Sequence, residues 1–307
     1  MLIIFTIMFA TITIPFPEYL GKGEATHVYL LKDENTVLID TGLDSKENRT
    51  FIKNKLKELN ISTIDYILLT HGHIDHFGLA NYLQKEFGAE ILIHKLDKDK
   101  LEDYRNAIKW FDENYELIIE GGYSREELNE IKNKLINVIN MIELPESYRI
   151  YENLKLNIGR NTITSIHLPG HTPGSVGYSI DDTIFCGDAA IEGSTAIENF
   201  RRELDSLQKL KCFNNIYPSH KKIPLTRKDI EKLENHFIDR LEEIIKITKN
   251  GMRLKDIVIR IYGDKIYESP IRALIPIRQV ISYLLYLEEE GYVIRKGYLW
   301  ISTKDSL

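Results

Sequence analysis

Three imidazoles and a carboxylate stand within six positions, at His71, His73, Asp75 and His76. The run Tyr66 to Leu69 before them reads as a short buried strand, so the cluster occupies a strand end. His71 and His73 alternate, and both side chains can lie on one side of an extended loop. Asp75 and His76 follow after a turn and can serve a second centre. Imidazole and carboxylate suit zinc and other borderline first-row ions, with no thiolate required.

Three more candidate ligands follow, each at a strand end or in a glycine-rich loop. His171 lies in Pro169-Gly170-His171-Thr172-Pro173-Gly174-Ser175, Asp188 in Phe185-Cys186-Gly187-Asp188, and His220 in Tyr217-Pro218-Ser219-His220. Glycine and proline fix backbone turns and permit close approach, which a rigid ligand loop needs.

The rest of the chain supports such a loop cluster. Val28 to Leu31 and Thr36 to Ile39 read as paired strands around a turn at Asp33 to Asn35, and Asp40-Thr41-Gly42 ends the second. Helices are expected over Glu47 to Leu59 and Leu79 to Phe87, with a strand at Ile91 to Ile93. Residues 96–142 read as a charged helical insertion, with a helix start at Ser124, and such insertions often cover an active site. Strands return between Arg149 and His167, at Val176 to Ile180, at Thr183 to Phe185 and at Asn215 to Tyr217, with a helix near Glu203 to Leu210. A long helix, Asp229 to Lys249, leads to a tail in which a helix over Ile277 to Glu290 precedes two short strands, Tyr292 to Arg295 and Tyr298 to Ser302.

At 307 residues, with 43% hydrophobic and 28% charged, the chain can bury a large core plus a small appended unit. A net charge of −6 argues against a surface that traps polyanions throughout, although bound metal ions would add positive charge that this count omits. The two cysteines, Cys186 and Cys212, form no CxxC pair and point to a reducing, cytoplasmic compartment. Met1 to Ile14 is apolar and β-branched, lacks a basic leader region, and meets Pro15 too early for a membrane span. It reads as a buried strand, and a start at Met8 would preserve it, which leaves residues 1–7 open as an extension.

The intact HxHxDH pattern from His71 to His76, with a later His, Asp and His in loops of matching type and order, resembles the metallo-β-lactamase superfamily. The resemblance spans roughly Ile12 to His220 and takes in Asp40-Thr41-Gly42. It implies an α+β fold, an αββα sandwich of two face-to-face sheets with helices outside and metals at one edge. It places His71, His73 and His171 on a first ion and Asp75, His76 and His220 on a second, bridged by Asp188, with Asp40 holding a ligand histidine from behind. Two Zn2+ ions are expected, with iron or manganese as alternatives, and the catalytic groups are Asp75 and Asp188. A bridging hydroxide would attack a carbonyl or phosphorus centre, and Asp75 would orient it or shuttle its proton.

Asp188 separates this pattern from the β-lactamases and resembles the glyoxalase II-like thioesterases, lactonases and nuclease branches. The tail resembles the winged helix of the β-lactamase-like protein 2 group, which joins a similar catalytic half to endoribonuclease activity on single strands. The expected units are therefore a catalytic domain over 1–225 and a winged-helix-like domain over 226–307. Arg278 and Gln279 lie on the would-be recognition helix, but Glu288-Glu289-Glu290 at its end would repel phosphate. The alternative is that this helix packs on the catalytic domain or on a partner subunit, and the apolar tail allows a homodimer. A small-molecule thioester, ester or lactone is the first substrate reading, single-stranded RNA the second, and a non-catalytic metal-binding scaffold the third. No membrane partner is expected. His27, His94, His167 and His236 fall outside the pattern, Cys186 reads as a small buried side chain, and Lys221-Lys222 as a solvated pair.

Overall fold

The β-branched N-terminal run pairs as β1 (Phe9–Pro15) antiparallel to β2 (Ala25–Lys32), with Ile12 opposite Val28. The computed structural model describes residues 9–17, 23–103, 106, 108–193, 196–268 and 270–307, so the part of the expected first strand before Phe9 lies outside them. β3 (Thr36–Ile39) returns on β2 through a turn in which Asp33 N donates to Asn35 O. β4 (Tyr66–Leu68), β5 (Glu90–His94) and β6 (Arg149–Tyr151) then add in parallel, giving a sheet ordered β1-β2-β3-β4-β5-β6.

A second sheet, ordered β11-β10-β9-β8-β7, comprises β7 (Lys155–Asn157), β8 (Thr162–His167), β9 (Val176–Ile180), β10 (Thr183–Gly187) and β11 (Asn215–Pro218). The sheets pack face to face. Leu31, Val37, Leu68 and Leu92 of the first meet Ile163, Val176, Tyr178 and Phe185 of the second in one apolar cluster. Burying each such side chain contributes about 1.5–3 kcal/mol, so this layer fixes how the two sheet edges align.

Helices cover both outer faces. α1 (Lys46–Glu58) is capped by Ser45, which accepts from Asn48 N. It carries Glu47 in its first turn and Lys55 and Lys57 in its last, each favourable to the helix dipole. Its Ile52 and Leu56 pack on Ile67 and Ile91 of the first sheet, with Leu83 of α3 (Ala80–Phe87) beside them. The single turn α2 (Ile74–Phe77) lies between these helices in sequence. α4 (Asp99–Glu102), α5 (Lys109–Glu113), α6 (Tyr115–Glu120) and α7 (Arg125–Ile139) form the insertion. α7 opens with the reciprocal Ser124/Glu127 cap that its sequence predicts. α8 (Phe200–Leu210) and α9 (Arg227–Ile247) cover the second sheet, with Leu207 and Ile230 against Ile184 and Ile216. The order helix, sheet, sheet, helix is the sandwich that the sequence implies.

The tail holds α10 (Leu254–Tyr262), a 3-10 turn (Asp264–Glu268), α11 (Pro270–Glu289) and a hairpin of β12 (Val293–Lys296) with β13 (Leu299–Ser302). α10 is not among the elements expected from the sequence, and the next helix is expected only from Ile277. The helix instead runs through Pro276, because Ala273 and Ile277 are both buried and their packing outweighs the missing backbone hydrogen bond.

α11 packs on α7, α8, α9 and α10, and Phe200 of α8 meets Phe237, Tyr283 and Tyr286 edge-on. Arg278 and Gln279 are therefore buried, at 9% and 0% exposure, rather than displayed as on a recognition helix. The acidic end finds a partner in Arg201 of α8, which pairs with Glu289 and Glu290. Packing against the sandwich, the alternative drawn from those acids, is the arrangement found. No helix among the described residues is long and apolar enough to cross a membrane.

Candidate metal centre

β4 delivers the chain to one edge of the sandwich, and the loop after it carries His71 and His73 before α2 begins. Loop 169–175 follows β8, Asp188 follows β10 and His220 follows β11, so all arrive at the same edge. Two of these deliveries need glycine. Gly187, before Asp188, has φ 57°, and a Cβ there would lie 2.5 Å from Thr70 Oγ1. Gly170, before His171, has φ 146°, and a Cβ would meet the Glu203 backbone at 2.5 Å.

Two clusters result. In the first, His171 Nε2 lies 3.2 Å from His71 Nε2 and 2.9 Å from His73 Nδ1, which is itself 3.0 Å from His71 Nε2. In the second, His220 Nε2 lies 3.3 Å from Asp75 Oδ2, and His76 Nε2 lies 3.6 Å from the same oxygen. Asp188 faces both. Its Oδ2 is 3.5 Å from His171 Nε2, and its Oδ1 is 3.4 Å from both His76 Nε2 and His220 Nε2. Donors about 2.0–2.1 Å from one tetrahedral ion lie roughly 3.3–3.4 Å apart, close to the spacing in both clusters. His76 Nε2 and Asp188 Oδ1 are buried without a hydrogen-bond partner, as expected of atoms reserved for a cation. The donor sets His71/His73/His171, His71/His76/Asp188 and Asp75/His76/His220 thus fit metal ions.

The rears of four of the five rings, those of His71, His76, His171 and His220, are also held. His76 Nδ1 donates to Asp40 Oδ2 at 2.8 Å, His171 Nδ1 to Ala196 O at 2.5 Å and His220 Nδ1 to Ala25 O at 2.7 Å. Thr70 Oγ1 donates to Asp40 Oδ2, which leaves it to accept from His71 Nδ1 at 3.1 Å. In each case the nitrogen facing the cluster is the one left to bind an ion or, without one, a proton. Asp40 is the hub, accepting also from Thr70 N and Ser219 Oγ, and its φ of 57° is a left-handed conformation that aspartate tolerates better than most residues.

The clusters differ in charge. Burial, reinforced by neighbouring imidazoles, holds His71, His73 and His171 below the ordinary histidine range, so the first cluster is neutral. At His76 burial opposes charge, but Asp188, Asp75 and Asp40 override it and push the imidazole well above its usual range. His220 is pushed up to about 9 against burial by Asp188 and Asp75. Burial would raise Asp188, yet His220, His76 and His171 hold it well below the carboxylate range. This end of the site attracts positive charge, and a divalent ion competes with those protons for it.

Asp97, unnoticed in the sequence, sits under both ligand loops. Fully buried, it accepts from Gly72 N at 2.8 Å, Thr172 Oγ1 at 2.8 Å and Gly174 N at 2.9 Å. Nothing distinguishes it locally from the other acids of a charged segment, and its partners in the second loop are 75 and 77 positions away. Glu203 is likewise buried behind Gly170 and pushed well up by burial.

Cys186 is buried with its thiol pushed up by that burial, so it is no thiolate ligand. Lys221 and Lys222 are engaged by Glu192 O and Asp229. His167 reaches the 169–175 loop through Pro173 O at 2.9 Å and stacks on His94, while His27 contacts Lys221 O beside His220.

The sequence profile described as the metallo-beta-lactamase superfamily matches residues 21–235, more than half the chain. The chain belongs to that superfamily. It is accordingly a metallo-hydrolase with a metallo-beta-lactamase fold. A beta-lactamase-like protein 2 homolog from Caenorhabditis elegans is 27% identical over 277 residues, covering 85% of this chain and 79% of the relative. The hydroxyacylglutathione hydrolase GloC of Haemophilus influenzae is 28% identical over 173 residues, 55% of this chain and 68% of the relative. Among solved structures, a metallo-beta-lactamase family protein from Thermus thermophilus superposes with a TM-score of 0.80 at 21% identity, covering 96% of this chain and 98% of that one. That superposition includes the tail, so the sandwich and its appended helices share one overall fold with the Thermus protein.

Proposed function

We propose that this metallo-beta-lactamase superfamily chain hydrolyses a thioester, ester or lactone using two divalent ions. His71, His73 and His171 would hold one, Asp75, His76 and His220 the other, and Asp188 would be shared. The observation that carries this reading is the placement of Asp188, whose two oxygens each face a different histidine cluster at 3.4–3.5 Å. Zinc suits the imidazole and carboxylate donors, and iron or manganese would suit them as well. When bound, such ions polarise a carbonyl oxygen and acidify water.

The chain's own groups supply the rest. Asp75 is the most solvent-accessible carboxylate of the cluster, at 23% exposure, and His220 and His76 keep it ionised against burial. It is thus poised to orient water and accept its proton. Asp40 keeps His76 from rotating.

The similarity to a hydroxyacylglutathione hydrolase supports a thioester. The tail has the order helix, helix, hairpin, with Met252 bridging to Trp300, and we read residues 226–307 as winged-helix-like beside a catalytic unit over 1–225. Burial of Arg278 and Gln279 disfavours its use on nucleic acid. A paired assay tests the reading. Metal-loaded protein should cleave members of an S-acyl thioester and lactone panel, and Asp188→Asn or Asp75→Ala should abolish this. Cleavage of single-stranded RNA alone, lost in the same variants, would replace it with the nuclease reading, and a purified protein without metal would leave only a scaffold. Elemental analysis of that protein identifies the ion.

A further inference from the structure

Arg278 of α11 stands where three segments distant in sequence meet. Its Nη2 donates to Glu198 Oε1 at 2.5 Å, and the Trp110 ring of the insertion covers the guanidinium at 4.9 Å. Both charged partners are withdrawn from water, with side-chain exposures of 11% and 19%. Glu198 belongs to the segment 196–199, which straps the ligand loop. Glu198 N and Asn199 N both donate to Gly170 O, at 2.8 and 3.0 Å, and Ala196 O accepts from His171 Nδ1.

We propose that Arg278 is a positioning residue for the metal centre, holding the strap through Glu198 and thereby fixing the ring of His171. The inference rests on the reading of His171 as a ligand. An exposed ion pair would do little here, because water replaces a lost partner at small cost. This pair is largely buried, and removing one member leaves a charge that water reaches only in part. The strap can relieve that cost by swinging Glu198 outward, which takes Ala196 O from His171 and frees the ring to rotate.

A second tie between tail and sandwich separates this role from simple docking. Arg201 of α8 pairs with Glu289 and Glu290 at the far end of α11. The full-length protein, stripped of metal and titrated with Co2+, reads both site affinities and the visible ligand-field bands, with the thermal midpoint as a check on folding. Arg278→Met should weaken one of the two sites on the order of tenfold and alter its bands, a loss typical of groups that orient a ligand from behind. Glu198→Gln should reproduce the change and carries the test if Arg278→Met does not fold. Arg278→Lys should restore most of the affinity, and Arg201→Met should leave affinities and spectrum unchanged. Wild-type affinities and bands in both Arg278→Met and Glu198→Gln would overturn the proposal, as would equal changes in Arg201→Met. A wild-type protein that takes up no Co2+ would instead overturn the metal reading beneath it.

Discussion

Asp97→Ala is the most direct probe of how the two ligand loops are held together. The substitution leaves Gly72 N, Thr172 Oγ1 and Gly174 N without their acceptor, all inside the protein, and removes the counter-charge 3.5 Å from Lys100 Nζ. Three orphaned donors at about 1–3 kcal/mol each would total at least about 3 kcal/mol. Because they share one carboxylate their costs do not add fully, and about 3–5 kcal/mol is the expected range for breaking a buried charged network. With 307 residues at about 2.1 cal/mol/K each, the unfolding entropy is roughly 0.64 kcal/mol/K. A loss of about 4 kcal/mol then lowers the thermal midpoint by about 6 °C. Calorimetry of metal-stripped protein isolates this loop contribution, and the metal-loaded protein should lose more, because both histidine loops loosen. A stripped variant melting within about 1 °C of the wild type would refute the clamp.

Asp40→Ala should weaken the ion at the His76 cluster by about 10–100-fold in a metal titration, since His76 loses the acceptor that orients it; equal affinities would argue against that role. At neutral pH, metal uptake should release about two protons per chain, from His76 and His220, and affinity should fall with falling pH. Weakly buffered titrations would show this, and uptake without proton release would contradict the charge asymmetry of the clusters. Burial raises the Glu203 carboxyl in the folded state, so its stabilising contribution is complete below the unfolded value near 4.5 and is lost as pH rises through the folded one. Glu203→Gln should therefore gain thermal stability relative to wild type at about pH 9 compared with about pH 5, and parallel profiles would show that Glu203 folds in its ionised form.

Much of this was open to reading before any coordinates. The ends of α1 and α7 carry their own caps, Ser45 and the Ser124/Glu127 pair, so local chemistry announces them. The candidate ligands are visible because each sits where an apolar run breaks into a turn, a signal spanning only a few residues. Local signals fail where tertiary packing overrides local preference. α11 begins before its expected start at Ile277 and runs through Pro276, and α10 follows no start signal strong enough to mark it.

The HxHxDH segment by itself determined that metal-binding chemistry would be gathered at a strand end, because alternation and a tight turn are local properties. Only the tertiary structure decided which oxygen of Asp188 faces which histidines, and that Asp97, Glu198 and Arg278 support the site. Those roles arise from contacts between segments far apart in the chain, and a charged residue in a polar stretch looks the same whether it meets water or a buried partner. Arg278 shows the difference: on a helix read in isolation it suggests phosphate binding, and in the folded chain it is buried against Glu198 and Trp110.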